Sequence, residues 1–505
     1  MTTHLRSKER VEFGDFQTPR SLAIEVCRVV SARWGQPKSV VEPTCGRGEF
    51  LVAASTTFSQ LEQAVGLEIN PSYVEAARET TRCHAGPVVP VIREGDFFTT
   101  NWDAVLDSLP DPLLVIGNPP WVTNAGIGAI RGSNLPQKSN FQRHQGLDAV
   151  TGKSNFDISE WMLLHLIERL RGRNAILAML CKTAVARKVL LQGWQRGLIG
   201  RAEIRLIDAK KHFGAAVDAC LLVCRVDEAV TDSVAPVYPE VEADRASHTI
   251  GLRDERLVSD VDAYERTKHL GGRSAHLWRS GIKHDCAKVM ELQCEGSRYR
   301  NGMGELVELE EDFTYPMLKS SDVASRNVDA PTRWLIVTQK HVGQDTRPIA
   351  AIAPKTWAYL QSHAEKLDRR ASSIYRGRPR FAMFGIGDYS FAPYKVAVSG
   401  LYKHLTFARI GQHRKRPIVL DDTCSLLPCR TMRESEFVVE LLHSELVESF
   451  LQARIFWDSK RPITSEVLNQ LDVLACANEL VPTHPITVEW VDRHLRSLVA
   501  QRKLF

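Results

Sequence analysis

The sequence predicts an α/β protein, with a doubly wound and mostly parallel sheet in its first half and a mixed α+β second half. Three observations support this fold class. Over the first 225 residues, short apolar runs alternate with apolar-periodic segments of helical length. Several of the apolar runs end in a turn that carries a carboxylate or an asparagine. Further along, short strand-like runs are separated by turns containing Gly and Pro.

The elements of the first half follow one another in a regular order. Apolar strands are predicted at residues 39–42, 64–68, 88–92, 113–116, 175–180 and 219–224. Helices are predicted near residues 71–81, 160–170 and 185–194. This alternation implies a mostly parallel sheet covered by helices on both faces. Residues 122–155, rich in Gly, Asn, Ser and Gln, interrupt the order and predict a functional lid or a poorly ordered stretch.

Composition indicates a folded protein. At about 150 residues per domain, 505 residues predict two or three domains. The fractions of hydrophobic (44%) and charged (25%) residues exclude disorder over most of the length. No apolar run approaches the roughly 20 residues that span a bilayer, and the first residues lack a secretion signal. We therefore expect a cytoplasmic protein without a membrane partner.

The eleven cysteines are scattered along the chain and lack the spacing of a zinc site. Reduced thiols and no bound metal are expected. Domain boundaries are predicted from composition, since residues 227–244 are acidic and contain Pro. The predicted organisation is a first domain of residues 1–230, a linker of residues 231–270, a mixed α+β domain of residues 271–480 and a helical tail of residues 481–505.

Charge is unevenly distributed along the chain. The 65 Lys and Arg against 60 Asp and Glu give a net charge of +5, which excludes a histone-like binder. Residues 365–416, however, contain twelve Lys or Arg and three acidic residues. This local excess predicts a polyanionic partner at one place only.

Polar side chains follow three of the predicted strands, where ligands of open α/β sheets bind. The turn Cys45-Gly46-Arg47-Gly48 lets the backbone approach a ligand closely. Glu68, about 20 residues further on, is placed to accept hydrogen bonds from both hydroxyls of a ribose. Asp96 and Phe97 can hold an adenine by its amino group and its ring face. Together these strand ends predict a nucleoside-containing cofactor, and a NAD enzyme is disfavoured because GxGxxG is missing.

The fourth strand runs into Asn118-Pro119-Pro120-Trp121. An isolated segment of this kind is usually a rigid turn with a packing aromatic residue, since proline fixes the backbone and cannot continue a strand. Here it follows the strands of the predicted nucleoside site in order, which favours a functional interpretation.

With these segments the sequence resembles the amino methyltransferases that use S-adenosylmethionine, and most closely the γ-type DNA adenine-N6 methyltransferases of bacterial restriction-modification systems. That type also carries a segment similar to Phe16-Gln17-Thr18-Pro19. The resemblance covers roughly the first 225 residues. It implies a Rossmann-like methyltransferase domain followed by a target-recognition domain. It further implies that the cofactor is surrounded by Thr18, Pro43, Cys45, Gly46, Gly48, Glu68, Ile69, Asp96, Phe97, Asn118 and Pro120.

The chemistry assigns roles to the catalytic candidates. The side-chain oxygen of Asn118 and the carbonyl of Pro119 would each accept one amino hydrogen of adenine, which frees the nitrogen lone pair for in-line transfer without a metal. The base must first leave the duplex, at a cost of a few kcal/mol, and Trp121 would stack on it. In the family a second aromatic residue covers the other face. Phe213 is placed for that role, although a position in the core is an equally open interpretation.

Several cations are candidates for contact with double-stranded DNA. Lys182 follows a strand end and is placed to meet a phosphate, with a solvated surface position as the alternative. The basic stretch interleaves cations with aromatic residues and glycines, which suits contact with phosphates and a groove. The candidates within it are Arg376, Arg378, Arg380, Lys395 and Lys403.

Two other functions remain open from sequence. N4-cytosine methylation uses the same chemistry, but usually with Ser or Asp at position 118. A non-catalytic DNA-binding protein on a methyltransferase fold is disfavoured by the intact motif at residues 118–121. No fused nuclease is predicted, so the expected protein partners are a separate restriction endonuclease or subunits of a phage-defence system.

Overall fold

The computed structural model of the chain describes residues 16–84, 86–122, 157–229, 232–274 and 276–502. The interrupting stretch predicted as a lid or poorly ordered segment lies outside these residues, apart from Val122. The chain divides into two compact units, of which the first ends at Val261 and the second begins at Asp262.

The first unit alternates strands with helices. Its strands are β1 (Ser39–Glu42), β2 (Gln63–Glu68), β3 (Val91–Glu94), β4 (Leu113–Gly117), β5 (Ala175–Lys182), β6 (Ile199–Ile207), β7 (Ala219–Val226), β8 (Val234–Tyr238), β9 (His248–Arg253) and β10 (Arg256–Val258). Its helices are α1 (Arg20–Trp34), α2 (Glu49–Thr57), α3 (Pro71–His84), α4 (Trp102–Asp107), α5 (Ile158–Arg169), α6 (Thr183–Gln195) and α7 (Ala209–Phe213).

These ten strands form one sheet in the order β10-β9-β8-β6-β7-β5-β4-β1-β2-β3. The five strands from β5 to β3 are parallel to their neighbours, and β7 is antiparallel to both β5 and β6. The chain moves outward from β1 to β3 and then returns to place β4 on the other side of β1. Such a reversal of strand order opens a crevice beyond the carboxyl ends of β1 and β4.

Burial of the central strands shows that both sheet faces are covered. Every residue of β1 and β4 is buried, as expected for parallel strands with helices on both sides. On α2, Phe50 and Leu51 are fully buried in the same core. The doubly wound sheet predicted from sequence is therefore confirmed.

The boundary of the first unit differs from the prediction. Residues of the predicted linker form β8, β9 and β10, and β8 joins the sheet parallel to β6 with Val237 opposite Ile204. Ala235 and Val237 are buried while Val234 and Pro236 are partly exposed, but the acidic and Pro-containing composition concealed this short strand. Other differences include helices α1 and α4 and strand β6, which were not predicted, and β3, which lies a few residues later than expected.

The second unit is a mixed α+β domain, as predicted. Its strands are β11 (Arg279–Ser280), β12 (Glu291–Glu295), β13 (Arg298–Asn301), β14 (Leu306–Val307), β15 (Thr314–Leu318), β16 (Arg333–Ile336), β17 (Tyr394–Ser399), β18 (Phe407–Ile410), β19 (Gln412–His413), β20 (Arg416–Pro417), β21 (Val419–Leu420) and β22 (Cys424–Cys429). They form sheets in the orders β14-β13-β12-β16-β15-β21 and β11-β22-β17-β18, together with the hairpin β19-β20.

The helices that accompany these sheets concentrate at the end of the chain. They are α8 (Val261–Thr267), α9 (Ala287–Met290), α10 (Ser320–Ala324), α11 (Ile349–Ile352), α12 (Pro354–Ser362), α13 (Ala364–Asp368), α14 (Met432–Leu442), α15 (Glu445–Gln452), α16 (Ser465–Leu468), α17 (Val473–Leu480) and α18 (Pro485–Arg502). Helix α18 is anchored by Trp490, which is buried and donates a hydrogen bond to Glu434. Within the described residues, no helix has the length and apolar character needed to cross a membrane.

Candidate active site

A pocket opens at the carboxyl ends of β1, β2, β3 and β4. It encloses about 850 Å³ including its open mouth, a size typical of small-molecule sites. Most of the predicted cofactor residues line it, namely Thr18, Pro43, Cys45, Gly46, Glu68, Ile69, Asp96, Phe97, Asn118 and Pro120. Because the neighbouring strands are parallel, their carboxyl ends meet at one edge of the sheet. The pocket there brings together these residues, which lie up to about 100 positions apart in the sequence.

Gly46 occupies a turn that requires glycine. Its φ is +50°, and a Cβ there would lie 2.5 Å from Oε1 of Gln17. The same Gln17 oxygen accepts a hydrogen bond from the backbone N–H of Arg47, at 3.1 Å. The turn is tied to the end of β2 because Cys45 N donates to the carbonyl of Leu67, at 2.8 Å. A larger residue at position 46 would displace Gln17 from the turn.

Glu68 ends β2 and holds the neighbouring backbone. Its Oε2 accepts a hydrogen bond from Gly46 N and its Oε1 accepts one from Asn70 N, each at 2.8 Å. A carboxylate offers about four acceptor positions. Two of these positions are taken by backbone N–H groups, which fixes the orientation of the carboxylate.

Asp96 and Phe97 follow β3. Asp96 Oδ1 accepts a hydrogen bond from Phe98 N at 2.9 Å, which fixes the turn. The ring of Phe97 lies 5.0 Å from that of Trp102 and is only 5% exposed. A flat, rigid apolar surface thus forms one wall of the pocket.

Asn118 is the first residue beyond β4. Its Nδ2 donates a hydrogen bond to the carbonyl of Phe16, at 2.8 Å. Its Oδ1 is buried and has no hydrogen-bond partner among the described residues. The bond to Phe16 sets the orientation of the amide, so that an acceptor oxygen is presented at the pocket without a partner.

Among the residues that line the pocket, two more buried polar atoms lack partners within the described part of the chain. They are Glu42 Oε2 and Thr44 Oγ1. Burial and the neighbouring charge of Glu68 raise the pKa of Glu42 well above its usual range. Because unsatisfied buried polar atoms are rare in proteins, three of them in one pocket indicate that it is built to bind a polar ligand.

Some pocket residues were not among the predicted cofactor residues. Glu42 carries the same signal as Glu68, a carboxylate at a strand end, and could have been identified by it. Phe16 and Gln17 belong to the segment Phe16-Gln17-Thr18-Pro19, but their contacts with Asn118 and Gly46 join distant parts of the chain. No local pattern predicts such contacts.

Gly48 does not line the pocket, contrary to the prediction. It precedes α2 with a φ of +82°, and a Cβ there would lie 3.3 Å from Thr81 and 3.4 Å from Ala77. The glycine is required for close packing of α2 against α3. Its role is therefore structural rather than cofactor binding.

The two aromatic candidates lie against each other. Trp121 and Phe213 are both buried, with ring centroids 5.1 Å apart and planes at 73°. Phe16 packs on both rings, at 5.6 and 6.2 Å. A base stacked between two rings needs about 7 Å, or two van der Waals layers. In this arrangement both residues belong to the core, and stacking on a base stays a prediction.

Lys182 does not have a free ammonium group on the surface, because its Nζ is bonded within the first unit. Its Nζ donates to the carbonyl of Trp121 at 2.9 Å and to Asp157 Oδ2 at 2.6 Å. The predicted phosphate contact is corrected for this reason: the ammonium group is already engaged inside the first unit.

Lys395 was predicted to contact DNA, and the structure contradicts this. The side chain is fully buried in β17, and its Nζ donates to the carbonyls of Ala392 (2.6 Å) and Ile418 (2.8 Å). Burial lowers the pKa of Lys395 to about 7, while burial raises the pKa of the adjacent Cys429 to about 12. The stretch of sequence is basic, but this member of it lies in the core.

Burial of Lys395 predicts a pH-dependent stability. Between about pH 7 and the ordinary lysine pKa near 10.5, the folded chain binds one proton fewer than the unfolded chain. The free energy of unfolding should therefore rise with pH, by up to about 1.4 kcal/mol per pH unit. We expect Lys395→Met to lose this slope in urea titrations between pH 7 and 9.5. The exposed control Lys366→Met should keep it, and equal slopes in the two variants would contradict the assignment.

The remaining basic residues differ in how far they are already paired. Arg380 bonds to Asp368 and Gln361, while Lys403 is exposed. Arg376 and Arg378 are also exposed, and within the described residues neither side chain forms an ion pair or hydrogen bond. The predicted basic surface is therefore concentrated at the turn that carries Arg376 and Arg378.

A second exposed turn was not singled out from sequence. Strands β19 and β20 form a hairpin whose two turn residues are Arg414 and Lys415. Their φ angles are +49° and +61°, as a type I′ turn requires, although such turns strongly prefer Asn-Gly. Both residues are exposed, and no described side chain pairs with them. A strained turn that carries two cations is a signal for function rather than stability.

Comparisons with known proteins identify the family of the chain. Residues 2–199 match the family model for N-6 DNA Methylase. The chain is 43% identical over 481 residues to the type II methyltransferase M.NspV of Nostoc sp., which spans 95% of this chain and 100% of that one. The type II methyltransferase M.CvrRI of Paramecium bursaria Chlorella virus XZ-6E is 32% identical over 121 residues, or 24% of this chain and 27% of that one.

Among solved structures, the type IIL restriction-modification enzyme MmeI in complex with DNA has a TM-score of 0.53. It is 13% identical and the match covers 92% of this chain and 65% of that chain, so the likeness shows a shared fold. The extensive identity with M.NspV shows the family. The chain belongs to the type II DNA methyltransferases of restriction-modification systems, enzymes that use S-adenosylmethionine.

Proposed function

We propose that this methyltransferase modifies the exocyclic N6 of adenine within a specific duplex sequence. The observation that carries the proposal is the buried Oδ1 of Asn118, which has no hydrogen-bond partner in the part of the chain that the structure describes. Such an oxygen accepts one amino hydrogen of the base, and the carbonyl of Pro119 accepts the other. The nitrogen lone pair is then free to attack, and no change in the protonation of Asn118 is needed. An asparagine at this position, rather than Ser or Asp, favours adenine over cytosine.

The pocket fits the cofactor because its unpartnered atoms and strand-end carboxylates match the cofactor's polar groups. When bound, S-adenosylmethionine supplies an electrophilic methyl group. Glu68 holds the ribose hydroxyls, Asp96 and Phe97 hold the adenine, and the buried Glu42 holds the cationic amino acid end. These residues fix the cofactor through groups that the fold already orients, so little reorganisation accompanies binding.

The target base must reach Asn118 past the aromatic cluster. We propose that it stacks on Trp121, whose indole Nε1 is held by the carbonyl of Leu180 at 3.3 Å. Phe213 lies at the end of the five-residue helix α7, which is followed by Gly214 at a φ of +66°. A short helix with a glycine hinge is the more movable support, so Phe213 makes room for the base.

The second unit is proposed to recognise the target sequence. Two of its turns carry pairs of exposed cations, Arg376 with Arg378 and Arg414 with Lys415. Cationic turns contact phosphates and enter grooves, whereas Lys395 and Lys182 are excluded from this role by their internal hydrogen bonds. A separate restriction endonuclease of the same specificity is the expected partner system.

The hairpin turn predicts opposite effects on stability and DNA binding. Arg414→Asn combined with Lys415→Gly relieves two left-handed non-glycine residues and should raise the free energy of unfolding by about 1 to 2 kcal/mol. The same change should weaken DNA binding about tenfold and reduce the salt slope of log Kd by about one per lost phosphate contact. The control Arg414→Lys with Lys415→Arg keeps both charges and the backbone strain. Binding that is unchanged in the Asn-Gly variant would exclude the hairpin from DNA contact.

The proposed function is tested by expressing the chain in a host without DNA modification and sequencing the methylated bases. We expect N6-methyladenine at one recognition sequence. N4-methylcytosine would overturn the choice of base. The absence of any methylated base in the DNA would support a non-catalytic DNA-binding protein.

A further inference from the structure

Lys182 connects residues 118–121, the catalytic segment, to the start of α5. It ends β5, which runs parallel to β4, so its side chain emerges at the same sheet edge as Asn118. Its Nζ donates to the carbonyl of Trp121 and to Asp157 Oδ2. Asp157 is 8% exposed and Lys182 25% exposed. Because the pair is shielded from water, its attraction is stronger than that of a surface ion pair.

Asp157 is itself fixed in position. It caps α5, since its Oδ1 accepts hydrogen bonds from the backbone N–H and the hydroxyl of Ser159, at 3.2 and 2.6 Å. The next residue, Ile158, donates its backbone N–H to the carbonyl of Val122, at 2.9 Å. The lysine therefore connects Trp121 to a rigid helix end.

The catalytic segment needs such anchors because of its composition. Pro119 and Pro120 have no backbone N–H and cannot be held by donating hydrogen bonds. The position of the Pro119 carbonyl therefore depends on the residues at either end of the segment. Asn118 is held through Phe16, and Trp121 is held through Lys182 and Leu180.

We propose that Lys182, oriented by Asp157, is a positioning residue for the two amino-group acceptors of the active site. It touches neither base nor cofactor and acts through the carbonyl of Trp121. This inference rests on the proposed function, because the acceptors it positions are those assigned to Asn118 and Pro119. A displacement of about 1 Å at reacting groups can reduce the rate about 100-fold.

The test uses the full chain with Lys182→Met, Lys182→Arg and Asp157→Asn. Asparagine is as good a helix cap as aspartate, so the last variant removes the charge and keeps the cap. In single-turnover assays we expect the rate constant of methyl transfer, and with it kcat, to fall about 10- to 100-fold for Lys182→Met and less for Lys182→Arg. The Kd for S-adenosylmethionine and for DNA should stay within about threefold, with an unchanged salt slope.

A matched control is the neighbouring pair of Lys188 and Glu160, which joins α6 to α5 at 2.8 Å. Glu160 is 1% exposed and Lys188 52% exposed, so Lys188→Met tests the stability cost of breaking another ion pair to a buried carboxylate of α5, away from the catalytic segment. We expect its kcat to be unchanged. An equal loss in Lys188→Met, or an unchanged kcat in Lys182→Met, would overturn the proposal.

Two further outcomes are distinguishable. Weaker DNA binding with a reduced salt slope in Lys182→Met would show that the lysine contacts phosphate and would also overturn the positioning role. Detection of N4-methylcytosine in the product would reject the proposed base, while the split between kcat and Kd would still report on Lys182.

Discussion

Replacing Asn118 by alanine is expected to reduce kcat by about 10² to 10³, the loss typical of removing one preorganised polar group that acts in the transition state. The variant lacks the buried Oδ1 that would accept an amino hydrogen. The amino nitrogen of the base then keeps its lone pair in the ring and remains a poor nucleophile. Cofactor affinity should change little, because the pocket is formed mainly by residues at or just beyond the ends of β1, β2 and β3.

The measurement compares methyl transfer to duplex DNA with the Kd for S-adenosylmethionine in wild type and Asn118→Ala. Asn118→Asp is the matched variant, since it keeps the shape and the acceptor oxygens but loses the donor to the carbonyl of Phe16. We expect its kcat to lie between the other two. Unchanged transfer in Asn118→Ala would refute the role of the asparagine.

Much of this pocket could be predicted because strand ends carry local signals. Glu68, Asp96 and Asn118 each follow an apolar run, and parallel pairing brings the ends of such runs to one edge. The contacts that complete the pocket are not local. Gln17 covers Gly46, and Phe16 orients Asn118, across about 30 and 100 residues of chain. Sequence patterns of period 2 or 3.6 contain no information about these pairs.

The charged residues show where sequence reasoning fails. Lys395 is predicted to contact DNA because it lies in the basic stretch with its aromatic residues, and Lys182 because it follows a strand end. Both instead donate hydrogen bonds to backbone carbonyls of other segments, and Lys182 also donates one to Asp157. For Lys395 the cause is the position of β17 in the middle of a sheet, where both faces are covered. The prediction of a linker at residues 231–270 was wrong for a similar reason. Strand β8 within it is defined by its pairing with β6 and not by its own composition.

The largest expected effect on cofactor binding comes from Glu68. Its two oxygens accept hydrogen bonds from Gly46 N and Asn70 N, and the carboxylate oriented in this way is proposed to hold the ribose hydroxyls. Loss of two charge-assisted hydrogen bonds costs about 3 to 4 kcal/mol in total. Glu68→Ala should therefore raise the Kd for S-adenosylmethionine about 10²- to 10³-fold, as measured by calorimetry.

The matched control is Glu94→Ala, because Glu94 ends β3 directly opposite Glu68 in the parallel register. It has the same chemistry, is exposed and does not line the pocket, so its replacement should leave the Kd unchanged. Glu68→Gln should be intermediate, since one accepting oxygen remains while the amide opposes a backbone N–H. If Glu68→Ala and Glu94→Ala bind the cofactor equally well, the ribose is held elsewhere. A Kd that rises in Glu68→Ala alone would locate the cofactor at the carboxyl end of β2. There the hydrogen bond from Gly46 N to Glu68 couples ribose recognition to the glycine turn.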